Sequence, residues 1–155
     1  MPSIRPADTD ADIAAARRLF REYVDGLDFD LDFQDFEDEL AALPGPYARP
    51  RGCILLAEPE ATPIGVVALR PLGDEGVCEM KRLYVRPAHR EQGIGRALGR
   101  AVLRAARDLG YDVMRLDTVA SMTAARALYR SLGFEERSPY YHNPLDDVVY
   151  MERPL

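Results

Sequence analysis

Arg90-Glu91-Gln92-Gly93-Ile94-Gly95-Arg96 decides how the rest of this 155-residue chain is read. An apolar run, Leu83-Tyr84-Val85, and a breaker, Pro87, precede it, and a segment of helical periodicity, 94–109, follows it. Strand, glycine turn and helix start, in that order, make an anion site. Glycine lets backbone approach a ligand closely. The first N–H groups of a helix lack intrahelical partners, and the helix dipole favours negative charge beside them. The dinucleotide fingerprint G-x-G-x-x-G fits imperfectly, because Gly99 falls one residue late, and G-x-x-x-x-G-K-[ST] is absent. What stands is R-x-x-G-x-G-R, a candidate pyrophosphate cradle. The plain alternative is an ordinary turn with glycines for tight geometry.

Outward from the turn, Ile94, Ala97, Leu98, Ala101, Val102, Ala105 and Leu109 form the apolar stripe of a helix that Gly110 ends. Arg96, Arg100, Arg104 and Arg107 lie on its other face, and the last three read as solvated. A strand over 113–119 follows, so strand, helix and strand make a parallel crossover. Residues 122–132 read as a further helix, stopped by Gly133, then an extended segment from Phe134, an aromatic loop over 138–144 and a closing strand over 147–152. Upstream, apolar runs at 53–58, 64–69 and 77–85, separated by short Pro/Gly-containing turns, predict an antiparallel meander. The chain opens with a short strand at 3–5, a capping cluster (Asp8, Thr9, Asp10, Asp12) and an amphipathic helix ending near Gly26. Phe33, Phe36, Leu40 and Leu43 fit one face of a second, shorter helix. One α/β (α+β) domain over 1–155, with a mixed sheet, is the expected architecture.

Composition narrows the class. Hydrophobic content of 47% with 30% charged residues is that of an ordinary soluble globular protein. No apolar run approaches the roughly 20 residues of a membrane span, and the N-terminus has no apolar signal core, so the cytoplasm is expected. Cys53 and Cys78 sit in apolar runs and read as buried thiols, with no metal-site spacing. A net charge of −6 argues against a nucleic-acid partner. Its distribution is uneven: 79–107 holds 8 bases against 2 acids, whereas 25–39 holds 8 acids and no base. The basic segment surrounds the glycine turn. The acidic one reads either as a solvated face or as the wall of a site that attracts cations.

Three pieces in order resemble the GNAT superfamily of acyl-CoA-dependent N-acyltransferases: Glu79-Met80-Lys81-Arg82-Leu83-Tyr84-Val85-Arg86-Pro87, then Arg90-x-x-Gly93-x-Gly95-Arg96, then Ala125-x-x-Leu128-Tyr129-x-x-x-Gly133-Phe134. The resemblance is close over 77–134 and extends along the whole chain in element order. It implies a GNAT-like fold in which two middle strands splay apart and acetyl-CoA lies in the resulting V, with no metal. It implies that backbone around Leu83, Tyr84 and Val85 pairs with the pantetheine arm. Arg90, Glu91, Gln92, Gly93, Ile94, Gly95 and Arg96 then hold the pyrophosphate, through backbone N–H groups and the two arginines. The implied reaction is direct transfer of an acetyl group to a primary amine, in a small-molecule or peptidic acceptor. The N–H near Val85 polarises the thioester carbonyl and Tyr129 serves as general acid. Glu79 matches the position of a general base, against a reading in which it only pairs with Lys81 or Arg82. Tyr129 has its own alternative, plain helix packing.

The family's asparagine three residues before the alanine of the closing helix is here Met122, so Ser121 or Thr123 is expected to cap that helix. Tyr141 and His142 lie on a loop that could reach the acceptor. The acidic segment motivates a cationic acceptor, and the resemblance makes a homodimer plausible. A non-catalytic acyl-CoA-binding sensor of the same fold, and another nucleotide-binding α/β protein, are the competing readings.

Overall fold

A computed structural model describes residues 3–27, 35–73, 75–145 and 147–155. The elements run β1 (Ile4–Pro6), α1 (Asp10–Asp25), α2 (Phe36–Ala42), β2 (Cys53–Ala57), β3 (Gly65–Pro71), β4 (Val77–Val85), α3 (Ile94–Asp108), β5 (Val113–Val119), α4 (Thr123–Ser131), β6 (Glu135–Arg137) and β7 (Val148–Pro154). The sheet has the order β1-β2-β3-β4-β5-β7-β6, antiparallel except where β4 meets β5. The expected meander and crossover are both present. Phe33, with the acidic stretch from Asp28 to Asp32, lies outside the described residues.

Helices cover both faces of this sheet. Leu55, Val67, Leu69 and Met80 pack with Leu98 and Val102 of α3 on one side; Ile54, Leu56 and Val66 pack with Leu19 and Phe20 of α1 on the other. Because successive strand residues point to opposite faces, a strand covered twice must be apolar throughout. All five residues of β2 are buried accordingly. Cys53 and Cys78 are free and buried, and burial pushes their thiols up to about 11 and about 12.

The N-terminal cap has the form that its residue types call for. Thr9 Oγ1 accepts from the Asp12 N–H at 3.1 Å and the Asp12 carboxylate accepts from the Thr9 N–H at 3.3 Å, a reciprocal capping box. Arg5 donates to both Asp12 oxygens, at 2.9 and 2.8 Å, and to Glu58 at 2.7 Å, so β1, α1 and the end of β2 meet at one guanidinium. Arg5 holds the Asp12 carboxyl well below the usual carboxylate range. A depressed folded-state value means the stabilisation is complete above the unfolded carboxylate pKa, about 4, and is lost as pH falls through the folded value. Asp12→Asn therefore lowers the melting temperature by several degrees at pH 7. The gap to the parent closes on acidification below about pH 4, as thermal melts across pH will show.

One expectation is corrected at the start of α4. Neither Ser121 nor Thr123 caps it: Met122 occupies the N-cap without a side-chain cap bond. Thr123 Oγ1 instead donates to the Ser121 carbonyl at 3.4 Å, because the hydroxyl sits one residue too late to reach the free N–H groups.

Candidate active site

Where β4 and β5 meet, the ladder is short. Their pairing covers only Val77↔Val113 to Glu79↔Arg115, although β4 continues to Val85 and β5 to Val119. On its other edge β5 stays paired with β7 along its whole length. The parallel pair thus opens beyond Glu79 into a V. On the β3 side, the register shifts between Val66↔Tyr84 and Ala68↔Lys81, so β4 carries one extra residue there. Arg82, at φ 60, takes up that bulge. Its guanidinium is buried, donating to both Glu39 oxygens at 3.0 and 2.9 Å and lying 5.3 Å from the Phe36 ring centroid.

Beyond Glu79 the β5-facing edge of β4 has no ladder partner among the described residues. The Arg86 N–H donates to the Ile64 carbonyl at 2.9 Å. Since alternate residues face alternate edges of an antiparallel pair, the Val85 N–H faces away from β3, toward the V. Just beyond it, Gly93 is the N-cap of α3, in the left-handed region at φ 81, with open space where a Cβ would stand. Both features fit a phosphorylated ligand whose extended arm runs along a strand edge: an unpaired edge, then an uncovered helix N-terminus. The flanking arginines are partly engaged. Arg90 Nε donates to the Val85 carbonyl at 2.9 Å, and Arg96 Nη1 donates to Ser131 Oγ at 2.8 Å. Gly99, the misfit of the dinucleotide pattern, has a packing role: a Cβ there would stand 2.5 Å from Leu132 Cδ1.

Two cavities meet at Lys81 and Arg82. One, of about 50 Å³, fills the V and is lined by Met80, Leu116, Thr118, Met122, Tyr129 and neighbours. The other, of about 270 Å³, is lined by Glu39, Arg70, Leu72, Glu79, Tyr140 and Tyr141 besides the shared pair. Tyr129 is buried; its ring packs edge-on against Phe134 and its hydroxyl has no hydrogen-bond partner among the described residues. Burial pushes this phenol above the ordinary tyrosine range. Glu79 is 1% exposed. Among the described residues its hydrogen-bond partners are Arg70, whose Nε donates at 2.8 Å, and Tyr140, whose hydroxyl donates at 2.6 Å, and its charge also acts on Lys81.

The sequence reading missed Asp117 and Tyr140. Asp117 stands 3.9 Å from the buried Lys81 ammonium across the V and accepts from the Tyr141 hydroxyl. Asn143 Nδ2 in turn donates to that hydroxyl at 2.9 Å. Burial holds Lys81 below the ordinary lysine range. The available signal was the Arg115-x-Asp117 alternation within an apolar strand, which puts two charges on one face. His142 is exposed, whereas Tyr141 reaches the larger cavity. The acidic segment contributes Glu39 to that cavity, already paired with Arg82, and Glu37 pairs with Arg21.

The profile of the acetyltransferase (GNAT) family matches residues 13–134. The chain belongs to the GNAT family. Among relatives of this acetyltransferase is an uncharacterised N-acetyltransferase of Schizosaccharomyces pombe, 42% identical over 96% of this chain and 92% of that one. The structure of a Klebsiella pneumoniae protein classed as an acyl-CoA N-acyltransferase superposes with a TM-score of 0.73, at 31% identity, covering 100% of this chain and 98% of the other. The yncA structure from Salmonella typhimurium, which holds its cofactor acetyl-CoA, gives 0.74 at 23% identity, covering 99% and 94%. The splayed mixed sheet is thus the GNAT fold, and the protein is an acetyl-CoA-dependent N-acetyltransferase. Among the described residues no helix is long and apolar enough to cross a membrane.

Proposed function

We propose that the V between β4 and β5 holds acetyl-CoA and that a primary amine, in a small-molecule or peptidic acceptor, enters from the larger cavity. The observation that carries this reading is the early end of the β4–β5 ladder directly upstream of the uncovered N-terminus of α3. Acetyl-CoA, when bound, supplies an activated acetyl thioester. Leu83, Tyr84 and Val85 offer the strand edge for the pantetheine arm, and residues 90–96 offer backbone N–H groups to the pyrophosphate. The Val85 N–H is the donor for the developing oxyanion. Tyr129 holds a proton for the departing thiolate, and Glu79 takes one from the amine.

Among the described residues, the charges around the larger cavity come from Arg70, Lys81, Arg82, Glu39 and Glu79. That balance gives a cationic acceptor no particular support from the described residues; Asp28, Asp30 and Asp32 of the acidic segment lie outside them. The test is acetyl-CoA consumption across amine classes: amino acids, peptides with free N-termini, polyamines and aminoglycosides. Turnover with one class and acetylation of its amine nitrogen is the expected result. Binding of acetyl-CoA without turnover across all of them would instead favour an acyl-CoA sensor.

A further inference from the structure

Glu79 borders the larger cavity, yet both of its carboxylate oxygens are already engaged. One carboxylate oxygen takes the Arg70 N–H and the other takes the Tyr140 hydroxyl, at 2.8 and 2.6 Å, and the residue is 1% exposed. Tyr140 lines the same cavity but is only half-buried, so it is the more accessible of the two. Among the described residues its hydroxyl oxygen accepts no hydrogen bond, so a lone pair is open to a donor. Its ring is fixed on several sides. Tyr141 and Tyr150 pack against it with centroids 5.5 and 5.2 Å away, and the Arg115 and Arg137 guanidinium carbons lie 5.6 and 5.8 Å from its centre. Glu152 holds those two arginines together, accepting from Arg115 at 2.9 Å and Arg137 at 2.8 Å. Such a clamp fixes the hydroxyl over the carboxylate.

We infer that Tyr140 is the proton relay between the acceptor amine and Glu79, an inference that rests on the reading of Glu79 as general base. The ammonium N–H bond breaks and its electron pair stays on nitrogen. That proton binds the Tyr140 oxygen as the tyrosine's own proton passes to Glu79. Ammonium and carboxylate become amine and carboxylic acid, and the tyrosine ends as it began. Because the two transfers are coupled, no phenolate forms. This matters, since burial and the Glu79 charge push the Tyr140 phenol far above its ordinary range. Other charged groups facing the pair are Arg70 from β3, Lys81 and Arg82 from β4, and Glu39 from α2. Among the described residues, Arg115 and Asp117 from β5 and Arg137 from β6 also face it.

The experiment compares Tyr140→Phe, Glu79→Gln and the double variant in kcat/KM for the acceptor from pH 6 to pH 10, alongside acetyl-CoA thermal shifts. Phenylalanine keeps the ring packing, so the acetyl-CoA shift stays parental. Expected is a loss of about 100-fold at neutral pH for each single variant. The loss should be no greater in the double variant, and should narrow toward pH 10, where bulk solvent deprotonates the amine. Replacing Tyr140 with 3-fluorotyrosine, which restores the hydroxyl, recovers most of the rate. A parental rate in Tyr140→Phe beside an impaired Glu79→Gln overturns the relay and leaves Glu79 as base. A parental rate in Glu79→Gln overturns both.

Discussion

Gly93→Glu abolishes the stabilisation that acetyl-CoA gives the parent chain. At a ligand concentration about 100-fold above Kd, binding adds roughly 2.7 kcal/mol, which for a chain of this size raises the melting temperature by roughly 5–10 °C. In the variant that shift falls to nearly nothing. Gly93 sits at φ 81 and caps the N-terminus of α3, with nothing within 4 Å of a Cβ position. The substitution thus places a carboxylate where the helix offers its positive end. An L-residue at this φ also costs about 1–2 kcal/mol, so the melting temperature without ligand falls as well. The ligand-dependent shift, measured by scanning fluorimetry with and without acetyl-CoA, separates the two effects.

Tyr129→Phe is expected to lower kcat by about 100-fold or more while the KM for acetyl-CoA changes by less than a few-fold. The deleted hydroxyl makes no hydrogen bond among the described residues, and the ring keeps its edge contact with Phe134, so the variant folds with nearly parental stability. Were Tyr129 only a packing residue, kcat would be unchanged. Burial raises the phenol, so it stays protonated through the neutral range. The basic limb of kcat in the parent should therefore lie above the ordinary tyrosine pKa of about 10, and steady-state rates across pH will locate it.

Most of the fold could be read from the chain because its signals are local. The capping cluster around Thr9, the apolar periodicity of α3 and the uninterrupted runs of β2 and β3 each reflect a backbone period or a cap. The turn at 90–96 was legible for the same reason: glycine, helix start and charge adjoin in sequence. What stayed hidden is long-range. Tyr140 reaches Glu79 across 61 residues and Arg82 meets Glu39 across 43, and no local pattern announces either pair. The bulge at Arg82 depends on that buried ion pair and on Phe36, not on a turn residue, so β4 looked like a plain strand. Gly99 read as a flawed phosphate motif, yet its space is taken by Leu132, which caps the C-terminus of α4.

The most direct test is amide hydrogen exchange with and without acetyl-CoA. Protection confined mainly to the free edge of β4 at residues 83–85 and to the turn at 92–96 is the expected result. Unchanged exchange in both segments at saturating acetyl-CoA would contradict binding in the V.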